Sequence, residues 1–335
     1  MSNRPNNHFI KDATSPFTFT YIQYGVSKSI TVNQSNNEET WPGGALWDIG
    51  VLIAKLLIMV QSPSSCATDS SSSVTSSNKP TNKNLFLSPP KRLIAPGVWG
   101  PSTSWKEKRI LELGCGVGLT GLVAAALGAR AVVLTDLQEV VQQITKPNVE
   151  LYVNNLPASV TSSATSRVQA QTLCWGNEQD EQAVAQVLDS MAPPFLHSNN
   201  NSSKKKKKGK TPQSKPITGT PSSSISNSNN PKRNGIPDII LIGDVAYQHK
   251  PGASSHFDIL LSTTLQFADE HTLLVFGTRM RMPASADLLE MFRENFDEIV
   301  DPPIEAHEID QAFDSKSIGR KHNITIHVMR RKKST

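Results

Sequence analysis

The sequence predicts an α/β protein in which a mostly parallel sheet is covered by helices on both faces. Strand-like and helix-like segments alternate from about residue 108 onward, and this alternation is typical of parallel sheets. The run Asp238-Ile-Ile-Leu-Ile-Gly243 is almost continuously apolar, as expected of a strand that is buried on both faces. A turn-rich linker joins the last two apolar segments, Glu298–Val300 and Asn323–Met329. We therefore expect the last strand to be antiparallel.

The N-terminal part is predicted to add a β-hairpin to this sheet. Residues 1–16 are polar and are expected to form a disordered tail. Between Phe17 and Gln34, β-branched and aromatic residues lie on both sides of Gly25. This pattern indicates two short strands joined by a turn.

A deeply packed helix is predicted to follow the hairpin. Residues Ala45 to Val60 are apolar on nearly every side of a helix, which is typical of a buried helix. The segment is shorter than the about 20 apolar residues of a membrane span, and it contains Asp48 and Lys55. No association with a membrane is therefore expected.

The main sheet and its helices are predicted from the alternation beyond residue 108. Apolar segments predict strands at Ile110–Leu113, Val132–Thr135, Val168–Leu173, Asp238–Gly243 and Thr272–Gly277. Helical periodicity predicts helices at Leu119–Leu127, Leu137–Asn155, Glu178–Ser190, His256–Ala268 and Ser285–Asn295. Pro147 is expected to break or kink the second helix, because proline lacks an N–H and its ring collides with the preceding turn.

Two low-complexity stretches are interpreted as insertions into one domain that extends over residues 17–335. The first, at about 61–104, is rich in serine and proline, and the second, at about 197–235, consists largely of Asn, Ser, Lys and Pro. Both are too long and too polar for ordinary connections between secondary-structure elements. Without them roughly 250 residues remain, which is a suitable size for a single α/β domain.

Charge and cysteine content exclude several classes of protein. The formal net charge is +5, but the tract Lys204–Lys208 with Lys210 contributes six positive charges. The predicted folded part is therefore nearly neutral, and no nucleic-acid-binding surface is expected. Cys66, Cys115 and Cys174 lie far apart in the sequence. This spacing argues against a disulfide framework or a metal site and fits a reducing compartment.

The most informative motif is a glycine-rich turn between a strand and a helix. The segment Arg109-Ile-Leu-Glu-Leu-Gly-Cys-Gly-Val-Gly-Leu-Thr-Gly121 precedes a second strand that ends at Asp136. Glycines let the backbone turn sharply and approach a ligand closely. The motif fits both the dinucleotide-binding loop and the looser loop of S-adenosylmethionine enzymes, so it is weak by itself. Asp136 fits both, because a carboxylate there can accept hydrogen bonds from ribose hydroxyls.

Three details favour S-adenosylmethionine as the cofactor. Glu112 lies two residues before the glycine loop, where a carboxylate would suit the ammonium group of a methionine moiety better than a pyrophosphate. Trp175 follows the third strand of the main sheet, where an indole can stack on adenine. The Tyr-x-x-x-Lys dyad of short-chain dehydrogenases is absent, since Tyr247 and Lys250 are three residues apart rather than four.

The chain resembles the family-16 protein methyltransferases, which are seven-β-strand, Rossmann-like enzymes that mostly methylate lysine in particular protein substrates. The resemblance lies in short motifs that occur in the family's order. They are Ile30-Thr-Val-Asn-Gln34, Gly44-Ala-Leu-Trp47-Asp48, Glu112-Leu-Gly-Cys-Gly-Val-Gly118, Thr135-Asp136-Leu137, Trp175-Gly176 and the Asp/Glu-x-x-Tyr signature Asp244-Val-Ala-Tyr247. The predicted insertions and the Trp41-Pro42 lead-in depart from the family pattern.

The resemblance implies roles for individual residues. The cofactor would be bound by Trp47, Glu112, Gly114, Cys115, Gly116, Asp136, Leu137, Trp175 and Gly243. The substrate side chain would enter beside two catalytic residues, Asp244 and Tyr247. Other interpretations remain open for several of these: Trp47 could be a core residue, Glu112 could pair with an arginine, and Asp244 could cap a turn.

The function implied by the resemblance is S-adenosylmethionine-dependent methylation of lysine in a protein, such as a chaperone or a translation factor. Two alternatives remain: methylation of a small molecule or of another side chain such as histidine, and a non-catalytic cofactor-binding interaction protein. We expect a monomer in the cytoplasm, with the nucleus as a second location.

Overall fold

The computed structural model describes residues 14–23, 26–40, 42–61, 90–95, 97–99, 105–159, 167–191, 235–245, 256–280, 283–313 and 323–333. Most of the predicted tail at 1–16 and most of the predicted insertions at 61–104 and 197–235 lie outside the described residues. Tyr247 also lies outside them.

The strands form a two-stranded hairpin and one large mixed sheet. They are β1 Phe17–Gln23, β2 Val26–Val32, β3 Arg109–Leu113, β4 Ala131–Asp136, β5 Val168–Thr172, β6 Ile239–Gly243, β7 Leu273–Arg279, β8 Phe296–Glu298, β9 Ile304–Glu305 and β10 Ile324–Arg331. Strands β1 and β2 pair antiparallel. The large sheet has the order β5-β4-β3-β6-β7-β10-β8, and β9 pairs with β10.

The strand directions confirm the predicted mostly parallel sheet with an antiparallel last strand. Strands β3 to β7 pair in parallel with their neighbours. Strand β10 runs antiparallel between β7 and β8. The short strand β9 was not predicted from the sequence, because an alternation of apolar and polar residues cannot be recognised in two residues.

Helices cover both faces of the sheet, as predicted. They are α1 Asp48–Gln61, α2 Leu119–Ala126, α3 Gln138–Val140, α4 Lys146–Asn154, α5 Glu178–Ser190, α6 Phe257–Gln266, α7 Pro283–Asn295 and α8 Ala306–Ala312. One hydrophobic cluster combines α1, α2, α4, α8 and the hairpin with the sheet face that carries Ile110. The other cluster combines α5, α6 and α7 with the opposite face, which carries Leu111.

The predicted disturbance at Pro147 takes the form of a change in helix type. A π-helical turn, Val141–Thr145, joins α3 to α4, and Pro147 lies at the start of α4. π-helical turns occur as local adjustments inside α-helices. The chain here stays helical from Gln138 to Asn154 instead of breaking.

Residues 90–95 and 97–99 fall within the first predicted insertion, yet they pack against the domain. The side chains of Leu93, Val98 and Trp99 are buried in the cluster that contains α1. Arg92 Nη2 donates to both carboxylate oxygens of Glu308 in α8, at 2.7 and 2.6 Å. The part of the chain that the structure describes contains no helix long and apolar enough to cross a membrane.

Candidate functional site

The candidate site lies at the edge of the sheet where the parallel strands end. Gly114 follows β3, Trp175 lies three residues beyond β5, and Asp244 follows β6, while Asp136 is the last residue of β4. Ligands of open α/β sheets bind at this carboxyl edge, where the strand order reverses. Here the reversal falls between β3 and β6. The fold therefore brings four of the predicted residues to one edge.

The glycine-rich loop has a backbone that other residues could adopt only with strain. Gly114, Gly116 and Gly118 have φ angles of 68°, 52° and 80°. A Cβ atom at Gly116 would lie 2.8 Å from the carbonyl oxygen of Gly43, and one at Gly114 would lie 2.9 Å from Val245 Cγ1. The loop is thus enclosed by the turn before α1 on one side and by the residue after Asp244 on the other.

Asp136 binds the glycine loop through one carboxylate oxygen and its own following residue through the other. Its Oδ2 accepts a hydrogen bond from Gly116 N at 2.8 Å, and its Oδ1 accepts one from Leu137 N at 2.8 Å. Burial raises the pKa of Asp136, and these hydrogen bonds oppose the rise. Each oxygen keeps a further lone pair, so the carboxylate can also accept a hydrogen bond from a bound sugar.

Glu112 lies beneath the loop and not at its rim. Its Oε2 accepts a hydrogen bond from Gly121 N, in the first turn of α2, at 2.9 Å. Only 6% of the residue is exposed, and this burial raises the pKa of Glu112 to about 8. Burial thus favours the neutral form of this carboxyl group. A direct bond from Glu112 to a methionine ammonium group remains a prediction.

Cys115 lies inside the loop and has the properties of a packing residue. Its Sγ is 3.6 Å from Thr145 Oγ1, and its backbone N–H donates to Thr135 O at 2.9 Å. Burial raises the pKa of the Cys115 thiol well above its usual value. Because the thiolate is the reactive form of cysteine, this residue is not suited to act as a nucleophile.

Apolar side chains surround the loop at the carboxyl edge. A Cβ atom at Gly114 would lie 3.5 Å from Trp175 Cζ2, so the half-buried indole stands beside the loop. Leu137 is 53% exposed directly after Asp136. Ile259, at the start of α6, is 41% exposed and packs against Gly176. Such an apolar surface beside a carboxylate suits the base and the sugar of a nucleoside.

Trp47 lies at the junction of the turn and α1. Its indole Nε1–H donates to Pro42 O at 3.1 Å, and the residue is half-buried. The preceding Gly43 packs against Gly116 and Val140. Trp47 is therefore attached to the segment that contacts the glycine loop, which is compatible with the predicted contact to a cofactor.

Asp244 has an unusual backbone conformation. Its φ angle is 53°, and among the described residues only Asn323 shares a positive φ without being glycine. Its N–H donates to Gly277 O of β7 at 3.2 Å. Residues held in the left-handed region often occur at functional sites, where the surrounding structure maintains the strain. The second predicted catalytic residue, Tyr247, lies outside the described residues.

Arg279 lies at the same edge of the sheet and was not predicted from the sequence. Arg279 ends β7 and forms a buried ion pair with Asp48, the first residue of α1. A lone arginine at a strand end carries no signal for a partner that lies 231 residues away. No cluster of His, Cys, Asp and Glu that could hold a metal ion occurs within the described ranges.

Comparisons with known proteins identify a family. Residues 26–191, about half of the chain, match the family model described as lysine methyltransferase. A stretch of 75 residues is 37% identical to the protein N-lysine methyltransferase METTL21A of Danio rerio, covering 22% of this chain and 30% of that protein. Another stretch of 90 residues is 37% identical to the ribosomal protein L11 methyltransferase of Parasynechococcus marenigrum. It covers 26% of this chain and 30% of that protein. The chain thus matches less than a third of the length of these relatives.

The solved structures that resemble this chain have low sequence identity to it. SMU.776 complexed with SAH has 10% identity and a TM-score of 0.42, covering 93% of this chain and 56% of that one. The ribosomal protein L11 methylase of Lactobacillus delbrueckii subsp. bulgaricus has 15% identity and a TM-score of 0.32. The match covers 68% of this chain and 72% of that one. The family match agrees with the motifs quoted above and confirms the resemblance. The chain belongs to the lysine methyltransferase family, a family of S-adenosylmethionine-dependent enzymes.

Proposed function

We propose that the protein transfers a methyl group from S-adenosylmethionine to a lysine side chain of a specific protein substrate. Family membership supports the reaction type. The observation that carries the proposal is the contact between Val245 and Gly114, where a Cβ atom on the glycine would lie 2.9 Å from the valine. Val245 directly follows Asp244, the predicted substrate residue. The contact therefore supports a location of Asp244 beside the glycine loop that would bind the donor.

The residues at the carboxyl edge fit the proposed cofactor. The three glycines with positive φ present bare backbone, Asp136 retains acceptor capacity for ribose hydroxyls, and Trp175 and Leu137 offer apolar surface for adenine. When bound, the cofactor would supply an electrophilic methyl group and a positive charge that disfavours the protonated form of a nearby amine. Trp47 and Gly243 would complete the pocket, and Glu112 and Cys115 would support the loop from below.

Asp244 is proposed to bind and orient the substrate ammonium rather than to deprotonate it. A lysine with a pKa of about 10.4 must lose its proton before it can attack, which costs roughly 4.6 kcal/mol at pH 7. A carboxylate nearby stabilises the cation and would increase this cost. Its contribution is therefore to hold the nitrogen in line, where proximity lowers the barrier. Tyr247 is proposed to shape the slot and to accept a hydrogen bond from the amine.

The lysine assignment is favoured over the two alternatives, which were a different acceptor and a non-catalytic scaffold. The family model and the Danio rerio relative are both described by lysine methylation. A protein substrate is proposed as the partner, with chaperones and translation factors as candidates. We further propose that the protein acts as a monomer in the cytoplasm or nucleus.

We expect Asp244→Asn to lower methyl transfer to the protein substrate by roughly a hundredfold, as misplaced reactants commonly do. Asparagine keeps the size of the side chain and tolerates the left-handed backbone, so the fold should be retained. The substrate is first found by incubating the protein with radiolabelled S-adenosylmethionine and a proteome, and turnover is then measured on it. Binding of S-adenosylhomocysteine by calorimetry should not change.

Asp258→Asn is the matched control, because Asp258 is an exposed acid near the same edge, in the first turn of α6. It should retain wild-type turnover. Normal turnover by the Asp244 variant would refute the assignment of that residue. Cofactor binding by the wild-type protein without methyl transfer to any protein of the proteome would favour the non-catalytic alternative.

A further inference from the structure

Helix α1 begins at the carboxyl edge of the sheet, directly beside the candidate site. Ile49 packs against Gly243 and Gly277, which lie near the ends of β6 and β7, and a Cβ atom on either glycine would meet its side chain. Thr120 of α2 donates a hydrogen bond from Oγ1 to Gly50 O at 3.2 Å. The start of α1 thus lies between the helix that follows the glycine loop and the strand that precedes Asp244.

A buried ion pair fixes this end of the helix. Asp48 accepts a hydrogen bond from Arg279 Nη2, and the two side chains are 3% and 4% exposed. Arg279 Nε is buried and has no hydrogen-bond partner among the described residues. Burying two charges costs desolvation energy, and such pairs often stabilise a fold no better than apolar residues would. A role other than stability would account for the pair at this location.

We propose that Asp48 and Arg279 form a positioning pair that fixes Trp47 and the turn at 42–46 relative to Asp244. This inference rests on the proposed function, since it assigns the pair to the geometry between methyl donor and acceptor. On one side, Asp48 follows Trp47, whose indole is bonded to Pro42 O. On the other side, Arg279 lies two residues beyond Gly277, whose carbonyl accepts a hydrogen bond from Asp244 N.

Loss of this ion pair should affect cofactor binding first. Gly43 lies against Gly116, so a shift of the turn at 42–46 changes the wall of the glycine loop. Loss of the pair would leave the helix packed by its apolar residues, because nearly the whole of α1 is buried. The start of the helix and the turn before it would then be free to move, while the sheet beneath them keeps its structure.

The same helix provides a matched control. Lys55 Nζ forms a second buried ion pair with Asp310 Oδ1 of α8, at 2.8 Å and with exposures of 8% and 1%. Lys55 lies seven residues after Asp48, which is about two turns further from the carboxyl edge. This pair joins the same helix to the C-terminal part of the chain, but it lies away from the turn and the glycine loop. Its replacement should therefore leave the cofactor site unchanged.

The test compares two double variants, Asp48→Leu with Arg279→Met and Lys55→Met with Asp310→Leu, in the full-length protein. Replacing both charges by apolar residues should leave the melting temperature of each variant close to that of the wild type. We expect the first variant to bind S-adenosylhomocysteine roughly tenfold more weakly or worse, as small displacements at a reaction centre do. It should raise the KM for S-adenosylmethionine, whereas the second variant should match the wild type.

Equal cofactor affinities in the two folded double variants would refute the positioning role. Should the first variant fail to fold, Arg279→Lys keeps the positive charge but loses the planar guanidinium. That single variant should bind the cofactor more weakly than wild type, and unchanged binding would again refute the role. A wild-type protein that does not bind S-adenosylhomocysteine would overturn the proposed function itself, so the two failures are distinguishable.

Discussion

At the scale of single residues, the glycine loop depends on the absence of side chains at defined positions. Gly116 combines a φ of 52° with a carbonyl oxygen 2.8 Å from where a Cβ atom would lie. The obstructing atom belongs to the backbone of Gly43, so it cannot rotate away. A methyl group at this position would push the turn before α1 away from the loop.

We expect Gly116→Ala to weaken binding of S-adenosylhomocysteine by more than tenfold and to destabilise the fold by more than the about 1–2 kcal/mol of a left-handed alanine. Calorimetry and urea denaturation measure the two effects. Gly128→Ala is the matched control: its φ is 94°, but its Cβ atom would meet only Lys106 Cγ at 3.9 Å. That variant should lose only the unfolding free energy that the left-handed backbone costs, and it should retain cofactor binding. Equal behaviour of the two variants would contradict the steric argument.

Glu112 predicts a pH dependence of stability in the free protein. Its pKa is raised by burial from 4.5 to about 8, so the folded state binds a proton that the unfolded state releases above pH 4.5. Stability should therefore fall as the pH rises from about 4.5 to 8, by about 1.4 kcal/mol per pH unit. Glu112→Gln removes this contribution, and its advantage over wild type should grow through that range in urea denaturation. An advantage that does not depend on pH would contradict the burial of an ionisable carboxyl group here.

Sequence motifs predicted the candidate site residues that lie at strand ends, but they missed contacts that no motif marks. Gly114, Gly116 and Asp136 could be identified because a tight turn and a strand end leave signals within a few positions. The pair of Asp48 and Arg279 has no such signal, because a buried charge becomes recognisable only when its partner is known. The contact between Gly43 and Gly116 could not be predicted either, because no periodic pattern and no sequence motif indicates it.

At the scale of elements, one buried side chain links the start of the segment between β2 and α1 to the rest of the domain. Asn148 of α4 is fully buried. Its Oδ1 accepts a hydrogen bond from Asn33 N at 2.7 Å, and its Nδ2 donates to Asn33 O and Val117 O at 3.0 Å each. One amide thus links the hairpin, α4 and the glycine loop. It lies one residue after Pro147, so the π-helical turn contributes to its placement.

We expect Asn148→Ala to destabilise the protein by about 2–4 kcal/mol, because three hydrogen bonds are lost and buried backbone groups remain unpaired. Amide hydrogen exchange within residues 33–47 should accelerate more than exchange within β6 or β7. Asn155→Ala, at the exposed end of the same helix, should change neither quantity appreciably. Unaltered exchange in residues 33–47 of the Asn148 variant would show that other contacts hold the segment.

Most helices and strands were predicted within a few residues, since apolar segments mark them, but β9 and α8 lie where only a linker was predicted. The start of α1 is an exception: the apolar pattern extends back to Ala45, but the helix begins at Asp48. The residues before it form the turn that contacts the glycine loop, and Gly43 and Gly44 favour this turn over a helix. Strand β8 lies at Phe296–Glu298, two residues before the predicted position. Its register is set by pairing with β10, which the local sequence does not specify.

At the scale of the whole molecule, the sheet order places the last strand between β7 and β8. The strand β10 therefore lies inside the sheet, next to the edge strand β8, and does not form the edge itself. The arrangement leaves the carboxyl ends of β3 and β6 free for the site, while α1 and the hairpin close one face. The N-terminal and C-terminal parts of the chain meet at α1, through its ion pairs with β7 and α8.

The second predicted insertion can be tested by removal, because the chain leaves and re-enters the domain at neighbouring points. Gly235 N donates to Asp189 Oδ1 at 2.7 Å, and Gly235 packs against Ala185, both in α5. Since α5 ends at Ser190, a few Gly and Ser residues can replace 197–234. We expect unchanged cofactor binding and an equal or slightly higher melting temperature, because a shorter loop costs less entropy to close.

The first predicted insertion should respond differently according to how much is removed. Replacing 64–88 by a short linker should be tolerated, because this stretch is rich in serine and polar in composition. Replacing 61–104 also removes the buried side chains of Leu93 and Trp99 and the salt bridge of Arg92 with Glu308. Each large apolar side chain contributes about 1.5–3 kcal/mol of burial, so this variant should lose several kcal/mol of stability. Equal melting temperatures for the two deletions would show that residues 90–99 do not stabilise the domain, and a loss of folding with the 64–88 deletion would show that the predicted insertion is part of its core.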